Sequence, residues 1–361
     1  AISLWMTNLG YGFEGTFQVL GDYRFQSQML GGDRGPGEMS APSGNRFEGT
    51  WLAALPVPLP RNYLQGIDTQ KADLEQEATS YLRGEWRESG WGYFYLYALA
   101  IKMPLGTWVL VAMAALVSFS VRSQCRPSRD EMVVLLPGAG ILALVSSQTG
   151  FTIHARYILP ILPFLFVWIS KVGRSAALRQ RTSTSVVVGA LCWSIASSLW
   201  MYPHSLSYCN ELAGGPAGGP IHLLDSNVAW GQDLLFLKCW LARHPQAEPL
   251  HLASFGYVQP ELAGIDSTLP PVGPTSPSSG TNWPDRELGP RPGWYAIDVN
   301  FLHGALWPVA NGRGGSTEIG GDGLDYQYFR RFEPVGTAGY SIYIYHITLD
   351  DANRVRRELG L

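Results

Sequence analysis

Four side chains beside long apolar stretches could bind an anion such as a phosphate group: Lys102, His154, Arg156 and Tyr157. A guanidinium binds phosphate oxygens in pairs, whereas a lysine ammonium acts as a compact charge. Each residue also has a simpler interpretation, because Lys and Arg often flank membrane spans and extend to the headgroups, and His154 suits a solvated loop. These residue types permit an anion site and leave the simpler alternatives open.

A second polar group lies in the run DSNVAWGQD at 225–233. It comprises Asp225, Asn227, Trp230, Gln232 and Asp233. An indole ring can stack on a sugar while amides and carboxylates bind its hydroxyls. Alternatively, the first three residues of the run cap a helix, and the tryptophan is a core residue that docks the C-terminal domain. Both interpretations remain open from the sequence.

Composition and motifs exclude several other classes. The net charge of -3 gives no basic surface for nucleic acid. The four cysteines form no CxxC pair, so a zinc or redox motif is not expected; Cys209 and Cys239 either pair in an oxidising compartment or are two buried free thiols. The chain has no GxGxxG, Walker, HExxH or GxSxG motif, and we expect neither a cofactor nor a metal.

Four apolar stretches are long enough to place these residues at a bilayer surface: 105–121, 132–147, 157–172 and 186–202. Each is near the lower end of the roughly 17–25 residues that a spanning helix needs. None carries the polar stripe of a soluble amphipathic helix. We therefore predict four membrane spans within residues 104–202.

Loop charges predict the orientation of these spans. The loops 122–131 and 171–185 are rich in Arg and Lys, whereas 148–156 carries a single arginine and a histidine. Because basic loops stay on the cytoplasmic side, residues 1–103 and everything after 202 are predicted to lie outside.

The two outer regions differ in pattern. Residues 1–103 are predicted to be loops with an amphipathic helix at 67–83, and residues 203–361 a small α/β domain. The domain's elements are a helix from about Val228 to Arg243, strands at Leu250–Phe255, Gly293–Val299 and Ser341–Ile347, and an exposed loop at 270–292. The predicted fold class is an α-helical polytopic membrane protein with a C-terminal external α/β domain.

Several segments resemble one known family. The most specific are YPHSLSYCNELAGGP at 202–216 and DSNVAWGQDL at 225–234; RYILPILP at 156–163 and AIKMPL at 100–105 add to them. Together they resemble bacterial phospholipid-carrier-dependent glycosyltransferases of the GT-C class, related to family 39, to protein mannosyltransferases and to aminoarabinose transferases. The resemblance covers most of residues 1–350.

The resemblance implies transfer of a sugar from a polyprenyl phosphate to an acceptor at the outer face of the bacterial inner membrane. The implied partners are a lipid-linked sugar donor and membrane lipids. Arg156, Tyr157, His154 and Lys102 would then bind the carrier phosphate, and the polar group at 225–233 would bind the acceptor or serve as a structural motif. The family's acidic catalytic motif is expected upstream of residue 1, so we expect this chain to lack the N-terminal part of the enzyme.

Two other functions compete with this interpretation. The chain could be a non-catalytic membrane-anchored module that binds a glycan or a partner. A transporter is disfavoured, because the predicted spans contain almost no ionisable residues of the kind that mark ion or substrate paths.

The predicted orientation can be tested by cysteine labelling in intact cells. A cysteine placed near Gly273 should react with a membrane-impermeant maleimide, because residues after 202 are predicted to lie outside. Reaction only after the inner membrane is broken would reject this topology.

Overall fold

The computed structural model describes residues 2–32, 44–75, 79–121, 129–147, 152–174, 181–273, 288–310, 316–319 and 326–361. The chain forms two compact units. One comprises Ala1–Ser80, Arg87–Gly92 and Ser147–Thr152; the other comprises Tyr81–Trp86, Tyr93–Ser146 and Ile153–Leu361.

The first unit contains helices α1 (Ile2–Gly10), α2 (Gln28–Gly31) and α3 (Arg61–Glu75). Buried Asp68 of α3 accepts hydrogen bonds from the main-chain N–H groups of Gln26 and Ser27 and from the Ser27 hydroxyl. These bonds satisfy donors just before α2, where a helix has none of its own acceptors. A buried carboxylate with three donors therefore ties α2 to α3.

The predicted amphipathic helix at 67–83 is wrong in its bounds. The helix is Arg61–Glu75, and Ser80–Leu82 is strand β1, which pairs with β2 (Glu85–Arg87). The turn residues Arg83 and Gly84 have φ angles of 53° and 90°. Two consecutive left-handed residues suit a tight hairpin, and this local preference overrides the helical spacing of the apolar residues.

The apolar part of the second unit contains five helices in its described residues: α4 (Phe94–Lys102), α5 (Leu105–Val121), α6 (Arg129–Ser147), α7 (Leu162–Ile169) and α8 (Arg181–Trp200). Within the described part of the chain, three helical stretches are long and apolar enough to cross a membrane: Arg129–Ser147, Ala155–Gly173 and Ser183–Trp200. A fourth span results if α4 and α5, which meet at a bend of 111°, are counted together. All four predicted apolar stretches are thus largely helical.

The third span is less regular than predicted. Residues Ala155–Ile161 and Ser170–Arg174 on either side of α7 are 3-10 helix. Pro160 and Pro163 lack the N–H that a regular α-helix needs, so the start of this span winds more tightly. Of the predicted cytoplasmic loop charges, Lys171 forms an ion pair with Glu131 at 3.1 Å, while Arg122, Arg126 and Arg179 lie outside the described residues.

Helices α5 and α8 come into close contact through small residues. A Cβ atom added at Gly106 would lie 2.1 Å from the Ala190 carbonyl oxygen and 2.6 Å from the Ser194 hydroxyl. Thr107 and Ser194 also share a hydrogen bond of 3.1 Å. In an apolar environment, close approach and interhelical hydrogen bonds replace the hydrophobic effect as the source of helix association.

The predicted α/β domain contains a four-stranded sheet in the order β3-β4-β8-β7. Its strands are β3 (Leu250–Ala253), β4 (Gly293–Asp298), β7 (Gly336–Ala338) and β8 (Ile342–Ile347); β3 runs parallel to β4, and the other pairs are antiparallel. All three predicted strands are confirmed in this sheet. Apart from it, β5 (Trp307–Ala310) pairs with β6 (Ser316–Ile319).

Helices α9 (Gly215–His222), α10 (Leu234–Leu241), α11 (Val299–Leu302) and α12 (Leu349–Glu358) complete this unit. The α10 residues Leu234 and Leu237 pack in one buried cluster with Ile344 of the sheet. Val355 of α12 packs in another with Tyr295 and Phe329. The two clusters place helices on both faces of the sheet, so the domain has a layered α/β core.

The cysteine alternatives are partly resolved. Cys209 and Cys239 are both free thiols; Cys209 is buried, but Cys239 is exposed, contrary to the expectation of two buried thiols. Cys125 and residues 274–287 of the predicted exposed loop lie outside the described residues.

Replacing Gly106 by Ala should weaken the α5–α8 contact, because the added methyl group would overlap the Ala190 carbonyl. Overpacking of this kind costs about 1–3 kcal/mol. When the detergent-solubilised protein is heated, the temperature at which half of its monodisperse peak is lost should therefore fall by several degrees. The control is Gly140→Ala in α6, where an added Cβ meets nothing within 4 Å. Equal midpoints for the two variants would contradict the close contact.

Candidate functional site

A cavity of about 340 Å³ lies in the second unit, where several span and loop segments meet. Its walls come from the end of α4, the 3-10 helix Ala155–Ile161 and the turns Ser205–Ser207 and Asp225–Asn227. Two basic side chains, Lys102 and Arg156, line it together with the neutral polar side chains of Ser205, Tyr208, Ser226 and Asn227 and the apolar side chains of Leu99, Met103, Ala155, Ile158, Leu159, Leu162 and Leu206. No carboxylate belongs to this lining among the described residues.

Lys102 occupies the bend between α4 and α5. Its ammonium donates to the carbonyl oxygens of Leu206 at 3.0 Å and Asn227 at 2.5 Å. An ammonium has three N–H donors, so these two bonds, the ones it makes to described residues, occupy two of them, and the third could bind a ligand. The same group thus joins two turns to the end of α4 and contributes a positive charge to the cavity.

The Asn227 amide holds a second pair of segments together. Its Nδ2 donates to the carbonyls of Ile153 and Leu224, both at 2.7 Å, and its Oδ1 accepts from the Ala155 main-chain N–H at 2.8 Å. Both N–H donors and the oxygen of this side chain therefore help to fix the segment 153–155 beside 224–227. This arrangement sets the position of Arg156, the next residue along.

Arg156 itself is exposed, with its guanidinium carbon 5.6 Å from the centre of the Tyr157 ring. Tyr157 also lies 5.9 Å from the His154 ring. The three residues predicted around this point are neighbours in space, but only Arg156 lines the cavity. Their role towards a carrier phosphate stays a prediction.

His154 faces a carboxylate. Its Nδ1 lies 3.3 Å from the Asp225 carboxylate and 2.6 Å from the Ser226 hydroxyl. Asp225 has a left-handed backbone with φ of 61°, and its main-chain N–H donates to Asn300 Oδ1 at 2.6 Å. The predicted anion-binding group around Arg156 and the polar group at 225–233 are distant in the sequence. They come into contact through His154 and Asp225.

The predicted helix Val228–Arg243 is too long, because α10 begins only at Leu234. Gly231 has φ of 87°, and the Gln232 side chain accepts from the Trp230 N–H at 2.7 Å, so 228–233 is a folded loop. Residues Asp225–Asn227 form a 3-10 turn, which gives them no capping role for α10. Local turn chemistry overrides the helical spacing of the leucines.

Asp233 has a structural role. Its buried carboxylate accepts from the N–H groups of Tyr340 and Ser341, both at 3.0 Å, and from the Ser341 hydroxyl at 2.8 Å. A Cβ at Gly339 would lie 2.1 Å from its Cγ, so only glycine allows this approach. These contacts fasten the start of α10 to the start of β8.

Trp230 belongs to an aromatic cluster. Its ring centre lies 5.3 Å from that of Tyr257, 5.4 Å from Trp307 and 5.6 Å from Phe255. The Tyr257 side chain is 75% exposed, and Trp230 is half-buried. The cluster is thus partly a core contact and partly an accessible aromatic surface.

Sequence reasoning missed Asp298 and Asn300. Asp298 is buried at the carboxyl end of β4, and its Oδ1 accepts from the Asn300 N–H at 2.9 Å and from Asn300 Nδ2 at 3.0 Å. Burial raises the pKa of Asp298 to about 8. The signal that could have found them is a polar D-x-N pattern at the end of a predicted strand, where loops often carry functional groups.

Replacing Asn227 by Asp should destabilise this region. The carboxylate would face the Ile153 and Leu224 carbonyls without the two N–H donors they now use. Each buried acceptor left without a donor costs about 1–3 kcal/mol. Limited proteolysis at rising temperature should show cleavage several degrees below that of the unchanged protein. Asn353→Asp on the exposed face of α12 is the control, and equal protection of the two variants would be inconsistent with the clamp.

Comparison with known proteins gives no relative from which a function could be carried over. No family model, no curated protein and no solved structure matches the chain. The family resemblance of the sequence segments therefore stays a prediction, and function has to be argued from the cavity and its surroundings.

Proposed function

We propose that this chain is part of a membrane glycosyltransferase that transfers a sugar from a polyprenyl-phosphate carrier to an acceptor at the outer face of the bacterial inner membrane. The observation that carries the proposal is the cavity, which combines apolar walls with two basic side chains and neutral hydrogen-bonding groups. Such a lining suits a ligand that is anionic at one end and apolar at the other.

The composition of the cavity supports a lipid phosphate over a free sugar or a nucleotide. Its apolar wall includes Ile158, Leu159 and Leu162 from the helical stretch Ala155–Gly173, which is long and apolar enough to span a membrane. A volume of about 340 Å³ is enough for a phosphate and the first part of an isoprenoid chain, but not for a whole polyprenyl carrier. The rest of the chain would lie in the bilayer.

Charge explains how the two basic residues would assist transfer. A sugar linked to a lipid phosphate is a phosphodiester with one negative charge, and loss of the sugar leaves a phosphomonoester with up to two. Donors fixed where charge develops stabilise the transition state more than the ground state. The Arg156 guanidinium and the remaining N–H of Lys102 would supply this stabilisation.

Four of the five predicted acceptor residues divide into two groups. Asn227, Gln232 and Asp233 are occupied by contacts within the protein, which favours the structural interpretation for them. Trp230 is partly exposed beside the exposed Tyr257 and would stack on an acceptor sugar.

A second function is favoured by the same aromatic cluster. Exposed Tyr257 lies against the partly buried rings of Trp230 and Trp307, and clusters of aromatic rings at a surface are typical of glycan-binding sites. A non-catalytic, membrane-anchored glycan-binding module would use this surface alone. Saccharide binding that is lost in Tyr257→Ala but unchanged in Arg156→Ala, together with no transfer activity, would favour the module.

In membranes that contain the full-length enzyme, replacing Arg156 by Ala should reduce transferase turnover at least tenfold at unchanged expression. A hydrogen bond to a charged group contributes about 1.5–3 kcal/mol, and a tenfold change corresponds to about 1.4 kcal/mol. Arg156→Lys should recover only part of the activity, because an ammonium cannot bind two oxygens in a fork. Binding of radiolabelled dodecyl phosphate to the membrane-embedded protein should weaken in parallel.

The matched control is Arg357→Ala, which removes an exposed guanidinium on α12. Near-normal turnover and dodecyl phosphate binding for Arg156→Ala would leave membrane-surface anchoring as the better explanation of this arginine.

A further inference from the structure

The polar and apolar residues of α1 in the first unit lie on the opposite sides from those expected in water. The residue that α1 buries is Asn8. Ile2, Trp5, Met6 and Leu9 recur at spacings of three and four, so they share one face of the helix, and they are 81%, 55%, 55% and 48% exposed. A helix at the surface of a water-soluble protein buries its apolar face instead. An apolar medium or partner is therefore expected over these four side chains.

Hydrogen bonds explain why Asn8 is the residue that points inward. Its Nδ2 donates to the carbonyl oxygens of Leu4 at 2.8 Å and Pro58 at 3.0 Å, and its Oδ1 accepts from the Thr16 hydroxyl at 2.5 Å. Turning α1 so that its apolar face became buried would break the bonds to Pro58 and Thr16, and those groups would need new partners. Contacts within the unit therefore fix which face of α1 is presented outward.

The size of the exposed side chains distinguishes lipid from a packed protein helix. Within membranes, helices associate through small residues that allow close approach, as α5 and α8 do at Gly106. The exposed face of α1 carries large apolar side chains, while its small polar residues Ser3 and Thr7 lie on another side. The helix also has no charged residue that could form an ion pair with a protein partner. Acyl chains suit such a face, because they are equally apolar and need no fixed shape.

The apolar face continues beyond α1 into the turn that follows it. The ring centre of Phe13 lies 6.5 Å from that of Trp5 in an edge-to-face arrangement, and Phe13 is itself 45% exposed. Phe13 has φ of 59°, and its N–H donates to the Asn8 carbonyl oxygen at 2.8 Å. This turn brings an exposed ring back beside the helix, although the left-handed conformation is unfavourable for a bulky residue. Tryptophan, phenylalanine and leucine together are typical of the apolar face of helices that lie in a membrane interface.

We propose that Ile2, Trp5, Met6, Leu9 and Phe13 form a lipid-contact surface, which inserts into one leaflet of the bilayer at the boundary between headgroups and acyl chains. The occupant is bilayer lipid, since the described part of the same chain contains three helical stretches long and apolar enough to cross a membrane. Interfacial helices bury their apolar face about 5–10 Å into this boundary. The inference does not depend on transferase activity. It gives residues 1–103 a membrane contact in addition to the outer loops expected from the sequence.

Spin-label accessibility in lipid vesicles tests this surface. The full chain, with its four native cysteines replaced by alanine, is reconstituted in phosphatidylethanolamine and phosphatidylglycerol, and Met6→Cys carries the nitroxide. Oxygen concentrates among acyl chains, whereas a nickel chelate stays in water. The ratio of oxygen to nickel-chelate collisions at position 6 should exceed that at Gln70→Cys, an exposed polar position of α3, by on the order of fivefold, because the label at position 6 lies below the headgroups.

Ser3→Cys is the control on α1 itself, because it lies outside the apolar face and should give a lower ratio than position 6. Nickel-chelate collisions as frequent at position 6 as at position 70 would show a water-facing helix and overturn the proposal. Infrequent collisions with both reagents would show that protein covers the face, either a second copy or a further segment, and would overturn it equally. Equal ratios at positions 3 and 6 would contradict insertion through one face.

Discussion

The Asn227 amide donates two hydrogen bonds to main-chain carbonyls and accepts one from a main-chain N–H, and these three bonds hold the non-helical segments around the cavity in place. The constraint behind them is general, because a main-chain N–H or carbonyl away from water must find a partner within the protein. Helices pair most of their own main-chain N–H and carbonyl groups, but the turns at 153–155 and 224–227 cannot. Lys102 meets the same need when it binds the carbonyls of Leu206 and Asn227. Asn227 and Lys102, which the sequence suggests as ligand contacts, therefore also hold the walls of the cavity in place.

Much of the fold could be predicted from the sequence, and the failures have local causes. Continuous apolar stretches specify helices because a helix pairs its main-chain N–H and carbonyl groups within one segment of an apolar environment. The strand Ile342–Ile347 shows its period-two pattern directly in the sequence. By contrast, the segment around Arg83 and Gly84 has a helix-like apolar pattern but forms a hairpin. The loop around Gly231 likewise takes up the predicted start of α10, which begins only at Leu234. Positive φ angles at a few residues determined these outcomes, and apolar spacing carries little information about them.

The candidate site was less predictable than the fold. The residue types of Lys102 and Arg156 indicated an anion site, but the sequence gives no sign that Arg156 and Asn227 share a cavity, since that depends on tertiary contacts between distant segments. The sequence also could not show which residues of the run at 225–233 bind the main chain and which one contacts His154. Asp233 and Asn227 turn inward to main-chain donors and acceptors, while Asp225 turns to His154. Asp298 and Asn300 act through the main chain of another residue, and single-sequence motifs do not record such support.

The bend of 111° between α4 and α5 has a consequence for the surrounding lipid. If α5 stands along the bilayer normal, α4 lies close to the plane of the membrane and adds little to the distance crossed. The 17 residues of α5 then cover about 26 Å at about 1.5 Å per residue, against roughly 30 Å for a typical hydrocarbon core. The bilayer would thin beside this helix, because a short span draws the headgroup layers inward. Local thinning at the end that carries Lys102 would shorten the distance over which a charged headgroup has to move out of water.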